Sequence, residues 1–180
     1  SLIYWLVQKR RMDPDFLLDV APWVVFGAIV GARGYYILLK FSFYIHHPAE
    51  AVNVRTGGLT IHGALIAGAA VIASFCWKRH ERYFAWTDVI IPGVALGQAI
   101  GRWGNWANQE AFGTPTSLPW GLKISPAHRP PQYLQYSTFH PTFLYEMILD
   151  LINCVVLAWL TLRLPKSKTL REGDVLALYC

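Results

Sequence analysis

The stretch FLLDVAPWVVFGAIVGARGYYILLKF, residues 16–41, decides the fold class. It is apolar over more than the ~20 helical residues that cross a bilayer core. Gly27, Gly31 and Gly34 recur along it, small residues that let a second helix approach closely. Arg33 stands inside the run, and an ionisable residue there needs a functional reason. Three further segments of the same kind occupy 59–77, 84–100 and 141–162. The turns at 1–7 read as the end of one more helix, and a sixth begins near Gly173. The expectation is an all-α, polytopic membrane protein. Residues 1–180 are expected to form a single integral membrane domain that is truncated at both ends.

Composition supports this. Hydrophobic residues make up 54% of the chain, more than a soluble domain of this length usually carries. The formal charge of +5 comes in bursts between the apolar segments, at 9–11, 78–82 and 163–171. Bursts in that position fit membrane topology and anionic lipid headgroups better than nucleic acid. Cys76, Cys154 and Cys180 lie in or beside apolar segments, without metal-ligand or disulfide spacing.

The basic residues also orient the chain. Lys9, Arg10, Arg11, Lys78, Arg79, Arg82, Arg163, Lys166, Lys168 and Arg171 fall on one side, ten in all. Lys40, Arg55, Arg102, Lys123 and Arg129 fall on the other, five in all. The positive-inside rule makes the first side cytoplasmic. The connections at 42–58 and 101–139 then face outward, the second as a long irregular segment rich in Gly, Pro, Trp and Tyr.

Polar residues gather toward that outer side. His62, Arg102, Asn105, Asn108, Glu110, His140 and Glu146 are expected at one depth, with Arg33 able to snorkel toward it. The densest run is GRWGNWANQEAFG at 101–113. Its arginine offers a fork suited to phosphate, and its asparagines can donate to ester or phosphate oxygens. Glu110 could orient Arg102 or a substrate hydroxyl. The structural alternative is a packed interfacial turn in which Arg102 pairs with Glu110. In GGLTIHGALIAG, 57–68, His62 reads either as a proton-transfer group or as a satisfied histidine on an apolar face. HPTFLYE, 140–146, starts a helix and brings Tyr145 and Glu146 to the interface. Asp88 reads as a helix-start residue, and Asp150, one turn below Glu146, as a packing or hydrogen-bonding group.

The run at 101–113 resembles the signature of the prolipoprotein diacylglyceryl transferase family, Gly-Arg-x-Gly-Asn-aromatic-x-Asn-x-Glu-x-aromatic-Gly. Gly101, Arg102, Gly104, Asn105, Trp106, Asn108, Glu110, Phe112 and Gly113 match every fixed position. The family's His-Gly segment is similar to His62-Gly63, with Ala64 where a second glycine is usual. Its Gly-[Gly or Ala]-Arg-x-x-Tyr segment is similar to 31–36, and its His-Pro-x-x-x-Tyr-Glu segment to 140–146. Tyr179 resembles the family tyrosine four residues before an essential arginine, which lies outside this sequence.

The resemblance implies seven membrane helices, of which this chain holds about the end of the first to the start of the sixth. It implies transfer of the diacylglyceryl group of phosphatidylglycerol to the lipobox cysteine thiol of a preprolipoprotein signal peptide. The products are a thioether and glycerol 1-phosphate. His62, Arg102 and Glu110 would be catalytic. Arg33, Tyr36, Gly63, Arg102, Asn105, Asn108, Gly113, Tyr145, Glu146 and Tyr179 would bind phosphatidylglycerol among the bilayer lipids. No metal, cofactor or nucleic acid is implied. The setting would be the bacterial inner membrane, with the site toward the periplasm. The main rival is a small-solute transporter or channel, which places polar residues near the bilayer midplane instead. A metal-dependent phosphotransferase would need a carboxylate cluster that Asp88 and Asp150 alone do not make.

Overall fold

The computed structural model describes residues 1–52, 57–167 and 169–180, with Lys166 described in its backbone alone. Arg55 and Lys168, both used in the charge count, lie outside the described residues. The helices are α1 (Leu2–Lys9), α2 (Pro14–Leu39), α3 (Phe41–His46), α4 (Ile61–Arg79), α5 (Tyr83–Asn108), α6 (Thr142–Arg163) and α7 (Asp174–Tyr179). Among the described residues α2, α4, α5 and α6 are long and apolar enough to cross a membrane. The protein is an all-α, polytopic membrane protein, as its apolar segments predict. The chain resolves into two compact units, one of Val7–Thr87 and one of Ser1–Leu6 with Asp88–Cys180.

In the first unit, α2 begins where Asp13 accepts the backbone N–H of Asp15 at 3.0 Å and Pro14 presets the first helical φ. Asp13-Pro14 therefore caps and opens the helix. Helices α2 and α4 pack through their small residues. A Cβ placed on Gly63 would sit 2.6 Å from Tyr35 Cβ and 2.8 Å from the carbonyl carbon of Gly31. Only glycine allows so close an approach. Thr60 ties the start of α4 to α2 by donating its N–H (3.2 Å) and its hydroxyl (3.1 Å) to the Ala32 carbonyl. Toward the far end of the pair, Phe16 stacks on Trp86 at 4.3 Å and Arg79 pairs with Asp19.

The second unit is built on α5, α6 and α7. Ile91, Ala95, Cys154, Leu157, Leu164 and Val175 form its buried core. Asp88 is fully buried there. Its carboxylate accepts the backbone N–H of Gly173 at 2.7 Å and of Leu176 at 3.0 Å, so it caps α7. Its own carbonyl accepts the Thr161 hydroxyl at 2.8 Å. Asp88 thus serves the N-terminus of a different helix, not the start of its own. Leu149, Ile152, Val155, Val156 and Trp159 stand exposed along α6, a surface suited to lipid or further protein.

Residues 101–108 differ from expectation. They continue α5 to Asn108 instead of opening the irregular segment. A glycine inside a helix costs only ~1 kcal/mol relative to alanine, so Gly101 and Gly104 do not break it. Aromatic packing supports the extension, with Trp103 set 6.1 Å from Phe143 and 6.0 Å from Trp106 between ring centres. Irregular structure begins at Gln109. It is organised by a short antiparallel pairing of β1 (Leu122–Lys123) with β2 (Thr138–Phe139). Phe139 is fully buried and lies 4.9 Å from the Phe112 ring.

Candidate functional site

The helical extension sets the geometry of the signature run. Arg102, Asn105 and Asn108 follow one another at three-residue spacing, so they climb one side of the last turns of α5. The chain then reverses. Gln109 and Ala111 both take φ of 51°, which costs an L-residue ~1–2 kcal/mol each. The reversal is closed by hydrogen bonds from Gln109 N to Trp106 O (3.1 Å) and from Glu110 N to Asn105 O (2.9 Å). It carries the Glu110 carboxylate back to the helix end. There it accepts the side-chain amides of Asn108 at 3.1 Å and Asn105 at 3.4 Å.

Arg102 does not pair with Glu110. Its Nη1 lies 2.9 Å from Glu146 Oε2, and its Nε lies 3.7 Å from Asp150 Oδ2. The two carboxylates are one turn apart on α6 and approach the guanidinium at two different nitrogens, Nη1 and Nε. Among the described residues Nη2 makes no hydrogen bond. Sequence reading placed Glu146 and Asp150 on one face but missed Asp150 as a partner of Arg102.

The return strand is fixed by backbone. Gly113 N donates to His140 O at 2.9 Å, and His140 N donates to Thr114 O at 3.0 Å. A Cβ on Gly113 would stand 2.9 Å from both His140 Cβ and Thr142 Cγ2, so glycine is needed for this approach. Tyr145 collects two contacts at its hydroxyl. Trp120 Nε1 donates to it at 2.9 Å, and His140 Nδ1 lies 3.2 Å away. Trp120 had no motif to single it out. Gln109 Oε1 accepts the Ser125 N–H at 2.8 Å, and Trp106, Ala107, Gln109, Leu122 and Lys123 line a cleft of about 370 Å³ beside it. Tyr179 at the end of α7 meets the Gln98 side chain of α5.

The remaining candidates lie in the Val7–Thr87 unit. Arg33 is buried, and backbone carbonyls occupy it: Nε donates to Ala51 (2.8 Å), Nη1 to Gly57 (2.9 Å) and Gly58 (3.1 Å), and Nη2 to Glu50. The Tyr36 and Tyr44 rings flank its guanidinium, with centres at 5.8 and 5.4 Å. Arg33 does not snorkel outward here; it ties the connection after α3 to α2. Gly63 is spent on the helix crossing described above. His62 is exposed, with the Tyr35 ring 6.4 Å from its own, and no hydrogen bond fixes its imidazole among the described residues.

These features define a class: a multi-pass membrane protein whose arginine and amide cluster, suited to an anionic headgroup, ends a membrane-length helix. The comparisons refine it. The family model for prolipoprotein diacylglyceryl transferase matches residues 1–180. A Synechococcus elongatus phosphatidylglycerol–prolipoprotein diacylglyceryl transferase is 44% identical over 180 residues, covering 99% of this chain and 62% of that protein. The Nostoc protein of the same name is 42% identical over 180 residues, covering 99% and 64%. That of Parasynechococcus marenigrum is 45% identical over 152 residues, covering 84% and 55%. The chain belongs to the prolipoprotein diacylglyceryl transferase family. It spans less than two thirds of the length of these relatives.

Proposed function

We propose that the protein containing this chain transfers the diacylglyceryl group of phosphatidylglycerol to the lipobox cysteine of preprolipoproteins. The observation that carries this reading is the Arg102 guanidinium, met by Glu146 at Nη1 and faced by Asp150 at Nε, with Nη2 unbonded among the described residues, on the same helix end as the Asn105–Asn108–Glu110 cluster.

In this reaction the cysteine sulfur bonds to the glyceryl carbon that carries the phosphate. The C–O bond to phosphate breaks, and glycerol 1-phosphate leaves. The thiol proton goes to a base, and the leaving phosphate gains one negative charge. A thiol with pKa ~8.5 needs little help to ionise. His62 is the proposed base. Arg102 stabilises the growing charge on the phosphate, which is where preorganised donors contribute most. Glu110 keeps the Asn105 and Asn108 amides turned to the headgroup. Tyr145, Glu146, Gly113 and Tyr179 complete its surroundings, while Arg33, Tyr36 and Gly63 hold the α2–α4 packing within their own unit.

Magnitude matters for Glu146. Its ion pair with Arg102 is 36% and 47% exposed on the two sides, and such pairs contribute only ~0–1 kcal/mol. A headgroup phosphate can therefore take its place on Nη1. The proposed setting is the bacterial inner membrane with the cluster facing the periplasm, supported by the ten-to-five asymmetry of basic residues.

The test is reconstitution of the full-length protein with phosphatidylglycerol and a lipobox peptide. A diacylglyceryl mass gain on the peptide, with glycerol phosphate release and loss of both in Arg102→Ala, is expected. A folded full-length protein that gives no mass gain sinks the reading.

A further inference from the structure

Arg102 Nε and Asp150 Oδ2 are both buried, face each other at 3.7 Å, and have no hydrogen-bond partner among the described residues. A buried polar atom left unpaired costs ~1–3 kcal/mol, more when it is charged. Among the described residues, the opposite charge beside each of these two atoms is the other. A shift of less than ~1 Å brings them to charge-assisted hydrogen-bond distance.

The two carboxylates on α6 consequently differ in kind. Glu146 reaches Nη1 from an exposed position and is readily exchanged. Asp150 is less exposed, at 22%, and reaches Nε, the one guanidinium nitrogen that cannot rotate away from the side-chain stem. We infer that Asp150 is a positioning residue for Arg102, holding the guanidinium by its Nε edge so that both Nη groups can meet a phosphate. This rests on the transferase reading of the same site. Asp150 touches no substrate; it acts through Arg102. Because a mis-aimed arginine loses more against the charge of the transition state than against the resting diester, kcat should fall more than KM rises.

The experiment uses the full-length protein in phosphatidylglycerol vesicles with a lipobox peptide. Asp150→Asn and Asp150→Leu are expected to lower kcat by about 10- to 100-fold with KM nearly constant, in protein that still folds. Asp150→Glu should recover part of the loss. In an Arg102→Lys background, which has no Nε fork, Asp150→Asn should cause no further loss. Wild-type kcat in Asp150→Asn, or an equal fold-loss in both Arg102 backgrounds, overturns the assignment while leaving the reaction intact. If the wild-type protein transfers nothing, the reaction reading fails, and hydrogen exchange at the Arg102 Nε–H decides the positioning alone. With isotope-labelled arginine, slow exchange in wild type and fast exchange in Asp150→Leu supports it; equal exchange overturns it.

Discussion

The Asp88 carboxylate accepts the backbone N–H of Gly173 at 2.7 Å, across 85 positions of sequence, and so ties the start of α7 to the first membrane turn of α5. Replacing Asp88 with alanine strands two backbone donors in a buried setting, at ~1–3 kcal/mol each. Asp88→Ala should lower stability by about 2–4 kcal/mol and speed hydrogen exchange at the Leu176 amide. Asp88→Asn, which keeps one acceptor oxygen, should lose about half as much. Thermal unfolding in detergent with site-resolved exchange checks this, and an unchanged Leu176 amide in Asp88→Ala refutes it.

Arg102→Lys should fold normally yet lose at least about 100-fold in glycerol phosphate release. Lysine keeps the charge, but it lacks the planar fork that meets two oxygens together. Glu146→Gln should shift stability by no more than ~1 kcal/mol, since the pair it breaks is half exposed. A lysine variant with wild-type turnover contradicts the phosphate role of the fork.

The Gly63–Gly31 crossing predicts an asymmetry between neighbours. Gly63→Ala pushes a methyl group to 2.6 Å from Tyr35 Cβ and should cost about 1–3 kcal/mol by overpacking. Ala64→Gly, one residue on, should cost only ~1 kcal/mol, from helix propensity. Unfolding curves for the two variants decide it, and equal losses refute the crossing as the tight point.

Arg33 holds four backbone carbonyls from one buried position, so Arg33→Lys cannot replace it. Hydrogen bonds from a charged donor contribute ~1.5–3 kcal/mol each, and lysine can keep one or two. A loss of at least about 2 kcal/mol is expected, together with faster proteolysis within Pro48–Val52. Undiminished protease resistance in Arg33→Lys tells against Arg33 as the clamp.

Tyr145→Phe removes the oxygen shared by Trp120 Nε1 and His140 Nδ1. Trp120 is exposed and His140 half-buried, so water can replace much of it and the loss should stay near ~1 kcal/mol. Its mark should appear in turnover, lowered several-fold at an unchanged melting temperature. An unaltered rate would leave Tyr145 as scaffold alone.

Much of this was readable along the chain, where it depends on local chemistry. The membrane-length helices follow from uninterrupted apolar runs, because lipid obliges the backbone to bond within its own segment. The 101–113 run announced itself by density of glycine, arginine and amide residues. Its conformation did not, because glycine and asparagine favour turns in isolation while packing of Trp103 on Phe143 sustains the helix to Asn108. Arg33 shows the same limit: a long cation in an apolar helix fits snorkelling or burial equally until its acceptors are known.

The sequence by itself determined the class of protein, the places where helices could run and the run of arginine and amide residues at 101–113. Period, hydropathy and motif spacing are properties of neighbours along the chain, and need no partner to be read. Only the tertiary structure decided that Arg102 answers to Glu146 and Asp150 rather than Glu110, that Arg33 faces carbonyls, and that Asp88 caps a helix 85 positions away. Each of those is a choice among donors and acceptors that are distant along the chain, two of them buried and the Arg102–Glu146 pair half exposed. It is settled by which pairing leaves the fewest polar groups dry and unbonded, a sum taken over the folded molecule.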